Sequence, residues 1–298
     1  MDFLADNYDL AATLASGQAF RWRWLDGAWE GVVAGRWVRL RQAEDRIHAE
    51  AAVPVEDWDW LRHYLQLDID LGRIFQTFPP DEPLQSSIRS CAGLRLLRQD
   101  PWECLASFIC SSTKQIVQIQ QIIALLCLRF GQPLPVPRGH EPVHSFPDFR
   151  RLAEATESGL RDCKLGFRAP YLLDSARQLR DGQVDLAALH GLPLEEARAQ
   201  LLRLPGVGLK IADCVLLFAY GFQRAFPVDV WIMRALRCLY FPKRRVKPAR
   251  LRHFSQTHFG PHAGYAQQYL FHYMRTGGKT VGNATAPQTA IQAAGGSS

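Results

Sequence analysis

A lysine and an aspartate, each at the start of a predicted helix, are the residues of this chain best placed to do chemistry. Lys210 follows the turn LPGVG at residues 204–208, and Asp229 ends the tripeptide PVD at residues 227–229. A helix N-terminus disfavours a cation and so favours the neutral amine of a lysine, which can attack an electrophilic carbon. A carboxylate nearby can stabilise the positive charge that develops in such a reaction.

The turn at residues 204–208 joins two stretches of helical periodicity. Gly206 and Gly208 flank Val207, and we expect both glycines to use left-handed backbone conformations, which cost a residue without a Cβ little. Apolar residues at helical spacing resume at once over residues 211–219. The pattern predicts a helix-hairpin-helix, whose backbone amides and helix N-terminus can bind a DNA phosphate.

Two interpretations of this motif stay open at this point. In the first, the hairpin is a sequence-neutral phosphate clamp, Lys210 is one more phosphate contact and Asp229 caps its own helix. In the second, Lys210 is a nucleophile and Asp229 supports it electrostatically.

The composition is compatible with a nucleic-acid partner. The chain has 298 residues, a net charge of +6 and a pI near 9.0, and its basic residues cluster at 243–250 and at Arg95 and Arg98. With 47% hydrophobic and 21% charged residues, the chain otherwise has the composition of an ordinary soluble protein.

Several classes of protein are excluded by what the sequence lacks. No apolar run is long enough to span a membrane, and residues 1–6 do not resemble a secretion signal. The 7 cysteines are scattered, which favours reduced thiols, and only Cys238 follows Asp229, so no four-cysteine iron–sulfur cluster can form there. We expect no metal site, and no P-loop or dinucleotide fingerprint is present.

The elements that must position Lys210 and Asp229 are a small sheet followed by many helices. Alternation at residues 19–24, an Asp26–Gly27 turn and further strands to about Ala52 predict an antiparallel sheet. We therefore predict an α+β fold, with a sheet domain and flanking helices at residues 1–100, a mostly α-helical domain at 101–276 and a disordered tail at 277–298.

Helical spacing predicts most elements of the second domain. The proline-rich segment 132–147 is predicted to be a loop. The predicted helices cover residues 57–67, 83–91, 102–110, 116–130, 149–155, 169–180, 193–202, 210–219, 230–239 and 265–275.

Several blocks of sequence, in order, resemble one family. The segment LPGVGLK at residues 204–210, with PVD at 227–229, resembles the core motif of the helix-hairpin-helix DNA glycosylases. Within that superfamily, the chain from about residue 14 to 275 most resembles the eukaryote-type 8-oxoguanine DNA glycosylase/AP lyases. The further blocks are SGQAFRW at 16–22, LLRQDPWECL at 96–105, FICSS at 108–112, KLGFRA at 164–169 and GYAQQYLF at 264–271.

The resemblance implies a bifunctional DNA repair enzyme. Such enzymes flip the damaged base out of the duplex. Lys210 would then attack C1′ of the sugar, expel 8-oxoguanine and leave an imine that allows β-elimination at the 3′ side. Asp229 would stabilise the oxocarbenium-like charge and support the proton transfers.

The resemblance also assigns binding residues. The backbone carbonyl of Gly17 would accept the N7 hydrogen that only the oxidised base carries. Gln267 would read the Watson–Crick edge, and Phe271 and Cys214 would sandwich the base. These residues, with Gln18 and Pro227, form the implied base pocket, while Thr113, Arg168, Gly206 and Gly208 would contact the DNA.

The chain departs from the animal members of the family on the side of the opposite base. Thr113, Lys114 and Gln115 replace a run of asparagines, and Gln118 replaces an arginine that helps to recognise cytosine. Arg168 matches a second cytosine-reading arginine, but its neighbour Phe167 lacks a tyrosine hydroxyl, and Trp231 replaces a histidine. We therefore expect weaker discrimination of the opposite base.

Two alternatives are carried forward: a non-catalytic helix-hairpin-helix DNA-binding module, and a superfamily glycosylase for another damaged base. The expected partner is double-stranded DNA containing 8-oxoguanine, with no membrane and with the protein as a monomer. No cofactor is expected to be required, although hairpin carbonyls could hold a structural monovalent or divalent cation. The expected location is intracellular, in the nucleoid of a bacterium or the nucleus of a eukaryote.

Overall fold

The computed structural model describes residues 1–242 and 246–277 and begins with a five-stranded antiparallel sheet. The strands are β1 (Asp2–Leu4), β2 (Arg23–Leu25), β3 (Ala28–Val33), β4 (Arg36–Ala43) and β5 (Arg46–Ala51). They lie in the order β1-β5-β4-β3-β2, and one face packs against helices α1 (Leu10–Ala15) and α2 (Asp59–Leu65). The predicted N-terminal antiparallel sheet is confirmed.

The alternating segment at residues 19–24 forms a strand only at its end, because β2 begins at Arg23. Phe20 packs edge-on against Phe108 in the helical core, with 5.5 Å between the ring centroids. Trp22 belongs to the sheet core and donates from Nε1 to the hydroxyl of Tyr64 at 2.9 Å. The apolar side chains of this segment therefore pack in two different cores and do not form one face of a strand.

The rest of the described chain is mostly helical, as predicted. The apolar periodicity is clearest in α5 (Pro101–Cys110), α6 (Ile116–Phe130), α9 (Ala169–Arg180) and α14 (Ala263–Thr276). The other helices are α3 (Leu71–Phe75), α4 (Glu82–Ser90), α7 (Phe149–Ala153), α8 (Glu157–Asp162), α10 (Leu194–Leu201), α11 (Leu209–Val215), α12 (Val230–Ala235) and α13 (Pro248–His258). The periodicity does not predict α1, α3, α8 or α13.

The proline-rich segment contains a short hairpin, β6 (Pro133–Leu134) with β7 (Val143–His144), and lies against the sheet. Nδ1 of His140 is 3.0 Å from Oε1 of the buried Glu30. Glu141 pairs with Arg23 at 2.7 Å. The segment therefore ties the helical part of the chain to the sheet.

Helices α11 and α12 both end in a widened, π-helical turn, at Leu216–Tyr220 and Leu236–Tyr240. The amide of Gly221 closes the first of these turns on the carbonyl of Leu216, five residues back. The two helical segments thus extend to residues 220 and 240, close to the predicted ends at 219 and 239, but their last turns are π-helical and not α-helical. Such turns are rare and occur often at functional sites.

Residues before position 100 contribute to both hydrophobic cores. Leu96 belongs to the helical core and its neighbour Leu97 to the sheet core. Helices α3 and α4 pack in the helical core although they precede that point. The division at residues 100 and 101 stays a prediction.

Two sequence-based predictions fall on residues that are not described. The basic residues Lys243, Arg244 and Arg245 lie outside the described residues, and so does the predicted tail from residue 278 onward.

Across residues 1–242 and 246–277, none of the helices combines the length and the apolar character that crossing a membrane would take.

A partly buried ion pair holds the two helices of the hairpin together. Nε of Arg198, on α10, donates to Oδ1 of Asp213, on α11, at 2.8 Å, and the two side chains are only 12% and 14% exposed. Burial raises the pKa of Asp213, and the charge of Arg198 opposes that rise. Removing one partner would leave a buried charge without compensation.

We expect Arg198→Met to lower the free energy of unfolding by about 3 kcal/mol, because Asp213 then stays buried and unpaired. Urea denaturation followed by circular dichroism measures this loss. The matched control is Arg203→Met, since Arg203 bonds the side chain of Gln200 on the exposed surface. Equal losses in the two variants would contradict the prediction.

Candidate active site

The hairpin between α10 and α11 places Lys210 in the first turn of α11. Gly206 has a φ of +75°, and a Cβ added there would lie 2.8 Å from that of Tyr171, so the turn requires glycine. Gly208 has a φ of −97° and a ψ of 179°, which any residue can adopt, so the prediction that it is left-handed is wrong. A Cβ at Gly208 would meet nothing within 4 Å, so the surface outside it is open.

Lys210 has a neutral oxygen and an aromatic face as its near neighbours. Its Nζ donates to Oγ of Ser111 at 3.2 Å and lies 4.9 Å from the ring centroid of Phe108. The hydroxyl of Ser111 donates in turn to the carbonyl of Phe108 at 2.7 Å. Within the described residues no carboxylate forms a salt bridge with Lys210. The amine is therefore held in place without an ion pair that would have to break before it reacts.

Asp229 both caps a helix and faces the lysine. Its Oδ1 accepts the amide of Ile232, the third residue of α12, at 2.8 Å. Burial raises the pKa of Asp229, while the amide of Ile232 and the charge of Lys210 oppose that rise. The capping role and the electrostatic role are therefore compatible, because capping engages one carboxylate oxygen.

One pocket brings together most of the residues that were predicted to form the site. Its lining comprises Gly17, Phe108, Lys210, Cys214, Phe218, Pro227, Asp229, Gln267, Gln268 and Phe271. The residues come from four places in the chain: the segment after α1, helix α5, the stretch from α11 to α12, and helix α14. The predicted residues Lys210, Asp229, Gly17, Cys214, Pro227, Gln267 and Phe271 are all among them.

The walls of this pocket suit a flat, polar-edged ligand. Burial raises the pKa of Cys214 to about 12, so its thiol is neutral and offers an apolar surface. Phe271 is half-buried on α14. Gln267 is only 4% exposed, and its Oε1 has no hydrogen-bond partner within the described residues. A buried acceptor without a donor is costly, so Gln267 is matched to a ligand that donates there.

Gly17 must be glycine for two separate reasons. Its φ is +78°, and a Cβ would lie 2.8 Å from Cδ1 of Ile116. Any side chain at this position would therefore strain the backbone and press into α6. The backbone of Gly17 can approach a bound base closely as a result.

Gln18 lies outside this pocket, although the resemblance implies a place for it there. The side chain is fully buried, and its Nε2 donates to the carbonyls of Thr13 at 3.0 Å and Arg95 at 2.8 Å. Its Oε1 accepts the amide of Leu97 at 2.8 Å. Since both ends of the side-chain amide are engaged within the protein, the side chain of Gln18 is not available to a base, and a pocket role for this residue stays a prediction.

The residues predicted to face the opposite base are largely engaged with one another. Arg168 is 2% exposed and donates to the carbonyl of Ser112 and, at 2.6 Å, to Oγ1 of Thr113. Thr113 has a φ of +58°, which is unusual for a β-branched residue. The side chain of Gln118 accepts the amide of Gln115 at 3.0 Å and so caps α6. Phe167, in contrast, is 58% exposed.

Four residues of the site were not predicted. Phe108, Phe218 and Gln268 line the pocket, and Ser111 bonds Lys210. The rings of Phe108 and Phe218 stack with 5.7 Å between centroids and form the wall beside the amine. Phe108 and Phe218 lie in apolar helical segments, where nothing in the spacing separates a pocket wall from ordinary core, so only the packing reveals their role.

No group of three or more His, Cys, Asp or Glu side chains within the described residues is arranged to hold a metal ion.

A helix-hairpin-helix that presents a lysine to a pocket, with an aspartate at the start of the next helix, is the arrangement expected of a helix-hairpin-helix DNA glycosylase that uses a lysine. The sequence model of the HhH-GPD superfamily of base excision DNA repair proteins matches residues 106–259. The sequence model of the 8-oxoguanine DNA glycosylase N-terminal domain matches residues 2–105. This chain belongs to the 8-oxoguanine DNA glycosylase family within that superfamily.

Relatives match over nearly the whole chain. A protein of Methanothermobacter thermautotrophicus named "Probable N-glycosylase/DNA lyase" is 32% identical over 91% of this chain and 95% of its own length. The "N-glycosylase/DNA lyase OGG1" of Arabidopsis thaliana is 31% identical over 88% of this chain and 76% of its own length. One solved structure with a similar fold is that of the Clostridium acetobutylicum 8-oxoguanine glycosylase/lyase in complex with double-stranded DNA containing cytosine opposite 8-oxoG. Its sequence is 31% identical, the TM-score is 0.85, and the match covers 91% of this chain and 93% of that chain.

Proposed function

We propose that this protein excises 8-oxoguanine from duplex DNA and then cleaves the abasic strand by β-elimination. The observation that carries the proposal is the convergence of a lysine amine, a carboxylate and the unpartnered Oε1 of Gln267 in one pocket. An amine and a carboxylate supply the chemistry of excision, and the glutamine supplies an acceptor for the edge of a base.

The reaction uses Lys210 as a neutral amine. Its Nζ attacks C1′ of the flipped nucleotide, the bond from C1′ to N9 of the base breaks, and the base leaves with a proton. Opening of the sugar gives an imine between Nζ and C1′. Loss of a C2′ proton then expels the 3′ phosphate, which is the lyase step. Arginine could not replace this lysine, because its guanidinium stays protonated.

The carboxylate of Asp229 stabilises the positive charge that grows on the sugar as the bond to the base lengthens. Such a preorganised charge is worth more inside a pocket than in water. The capping bond from Ile232 fixes the carboxylate, so little reorganisation is needed when the charge develops.

Recognition of the lesion rests on the backbone carbonyl of Gly17. The oxidised base carries a hydrogen on N7, whereas guanine has a lone pair there, so guanine would set two acceptors against each other. Phe271 and Cys214 would hold the base between them, and Gln267 would accept from its Watson–Crick edge.

Borohydride trapping tests the proposal directly. Reduction of the imine should link the protein covalently to a duplex that carries 8-oxoguanine opposite cytosine. Absence of a trapped complex, with binding retained, would favour the non-catalytic DNA-binding module. Trapping with a different damaged base but not with 8-oxoguanine would favour the other superfamily activity.

Discrimination of the opposite base is expected to be weak, because Gln118 is engaged as a helix cap and Arg168 is bound to Ser112 and Thr113. A good bidentate contact to a base contributes about 1–3 kcal/mol of discrimination. The guanidinium of Arg168, the arginine predicted for this role, is already bonded through Nη2 to Ser112 and Thr113. We expect excision rates opposite C, A, G and T to lie within about 10-fold of one another. A wild-type preference for cytosine of several hundred-fold would contradict this expectation. The variant Gln118→Arg should prefer cytosine more strongly than the wild type does.

We propose that no cofactor is required, because an amine nucleophile needs no metal to form the imine. The hairpin carbonyls of Leu204 and Pro205 accept from the amide of Val207 and from Oγ of Ser175, and each keeps a second lone pair with which it could bind a structural cation. Excision in excess EDTA should equal excision in buffer within about 2-fold. A large loss that added Mg²⁺ restores would contradict the proposal.

We further propose that the protein acts as a monomer on double-stranded DNA. Its place of action would be where the cell keeps its DNA, the nucleoid of a bacterium or the nucleus of a eukaryote. Sedimentation of the protein with and without a lesion duplex measures the number of protein chains in the complex.

A further inference from the structure

We propose that Gln18, Gln99, Gln268 and Arg275, here called the carbonyl clamp, are positioning residues that leave the carbonyl of Gly17 as the acceptor available to a base. This inference rests on the proposed function, since it concerns how the same pocket recognises its lesion. It assigns to three glutamines and an arginine a part in the specificity of the enzyme.

The carbonyls on both sides of Gly17 are occupied by side-chain donors. Arg275 donates to the carbonyl of Ala15, and Nε2 of Gln268 donates to that of Ser16 at 3.2 Å. Nε2 of Gln99 donates to the carbonyl of Gln18 at 2.7 Å. Within the described residues no donor reaches the carbonyl of Gly17. Gly17 is only half-buried and lines the pocket, so its carbonyl can accept from a donor outside the protein.

Gln18 fixes the peptide that contains this carbonyl. The Gly17 carbonyl and the amide of Gln18 belong to one planar unit, so anchoring Gln18 limits the direction in which the carbonyl can point. The buried side chain of Gln18 is anchored through both of its polar atoms, Nε2 and Oε1, to four partner groups. Its partners are the carbonyls of Thr13 and Arg95, the hydroxyl of Ser16 and the amide of Leu97.

Gln99 connects this anchored peptide to the helix that bears the nucleophile. The amide of Gln99 donates to the carbonyl of Phe218 at 2.8 Å, and Phe218 lines the pocket beyond Lys210. The side chain of the same residue holds the carbonyl of Gln18. One residue thus sets the position of the base-reading loop relative to the end of the helix that begins near Lys210.

The direction of the Gly17 carbonyl matters because lesion and guanine differ there by one hydrogen. A carbonyl that could turn away would lose the bond to the N7 hydrogen and also relieve the repulsion with the lone pair of guanine. Small displacements of a positioning group can reduce a rate by about 100-fold. The clamp should therefore affect excision of the base and not the later cleavage, which needs no base in the pocket.

The test compares Gln99→Met with the wild type, because this change removes the donor to the carbonyl of Gln18 and keeps the backbone bond to Phe218. Excision of 8-oxoguanine opposite cytosine should fall by about 10- to 100-fold under single-turnover conditions. Cleavage of a preformed abasic site should stay within about 2-fold of the wild type. Gln18→Met should show the same separation, with a larger loss of stability.

The matched control is Gln42→Met. Gln42 also bridges backbone groups, accepting the amide of Leu10 at 2.8 Å and donating to the carbonyl of Tyr8, but it contacts neither Gly17 nor the pocket. It should change neither activity by more than about 2-fold. Equal losses of excision and cleavage in Gln99→Met, or no loss of either, would overturn the inference. A wild-type protein that fails to excise 8-oxoguanine would instead overturn the proposed function.

Discussion

Replacing Lys210 with glutamine is expected to abolish borohydride trapping and to lower excision of 8-oxoguanine by at least about 10⁴-fold. Removing the nucleophile of a covalent mechanism has effects of this size, because the remaining groups can only bind and polarise the substrate. Glutamine is close to lysine in length and keeps a donor for Oγ of Ser111, but its amide nitrogen cannot form an imine. Single-turnover excision and gel analysis of the trapped complex measure the two effects.

The loss must come from chemistry and not from weaker DNA binding. Binding of a lesion duplex should change by less than about 10-fold in Lys210→Gln, because only one of many positive charges is lost. Lys247→Gln is the matched control, since Lys247 is an exposed residue before α13 that lies outside the pocket. A trapped complex that survives in Lys210→Gln would show that another amine is the nucleophile.

Replacing Asp229 with asparagine is expected to lower the rate of excision by about 10²- to 10³-fold, the effect typical of removing one preorganised electrostatic group. Asparagine is as good an N-cap as aspartate, so the bond to the amide of Ile232 and the fold of α12 should persist. The Tm should therefore stay close to that of the wild type while the rate falls.

The pH profile separates the charge of Asp229 from its shape. Because burial raises the pKa of Asp229, the carboxylate forms at a higher pH than that of an ordinary aspartate. The value of kcat/KM for the wild type should therefore fall as the pH drops through this raised pKa, and the asparagine variant should lose the contribution of this carboxylate to the acid limb. Asp148→Asn is the matched control, since Asp148 caps α7 on the exposed surface through the amide of Arg150. An unchanged acid limb in Asp229→Asn would contradict the assigned role.

The two reacting residues could be predicted because their signals are local. A glycine turn before a helix and an aspartate at a helix start can be recognised within a few residues, and both elements are present where the pattern predicts them. The sheet and most helices follow from periodicity for the same reason. The widened ends of α11 and α12 could not be predicted, because each widened turn comes at the end of its helix, where little further periodicity remains to show a shift in the apolar spacing.

The rest of the site depends on contacts between distant parts of the chain. Gly17 and Phe271 meet in one pocket although one lies near the start of the chain and the other near its end. Only the resemblance to a family brings them together from sequence, and the resemblance does not reveal that the side chain of Gln18 anchors the loop from inside. Ser111 and Phe108 escape prediction because their partner Lys210 lies about a hundred positions away.

The π-helical turn at Leu216–Tyr220 makes the length of this segment a determinant of the site. In a regular helix each residue advances by about 100° around the axis, so one residue fewer would rotate everything beyond the turn by that angle. Gly221, which has a φ of +76° and lies beneath the guanidinium of Arg98, would then leave its place. Deleting one residue from this turn should therefore displace Phe218 from the pocket wall, a larger change than most single substitutions would cause. The helix that bears the nucleophile is thus constrained by its residue count as well as by its composition.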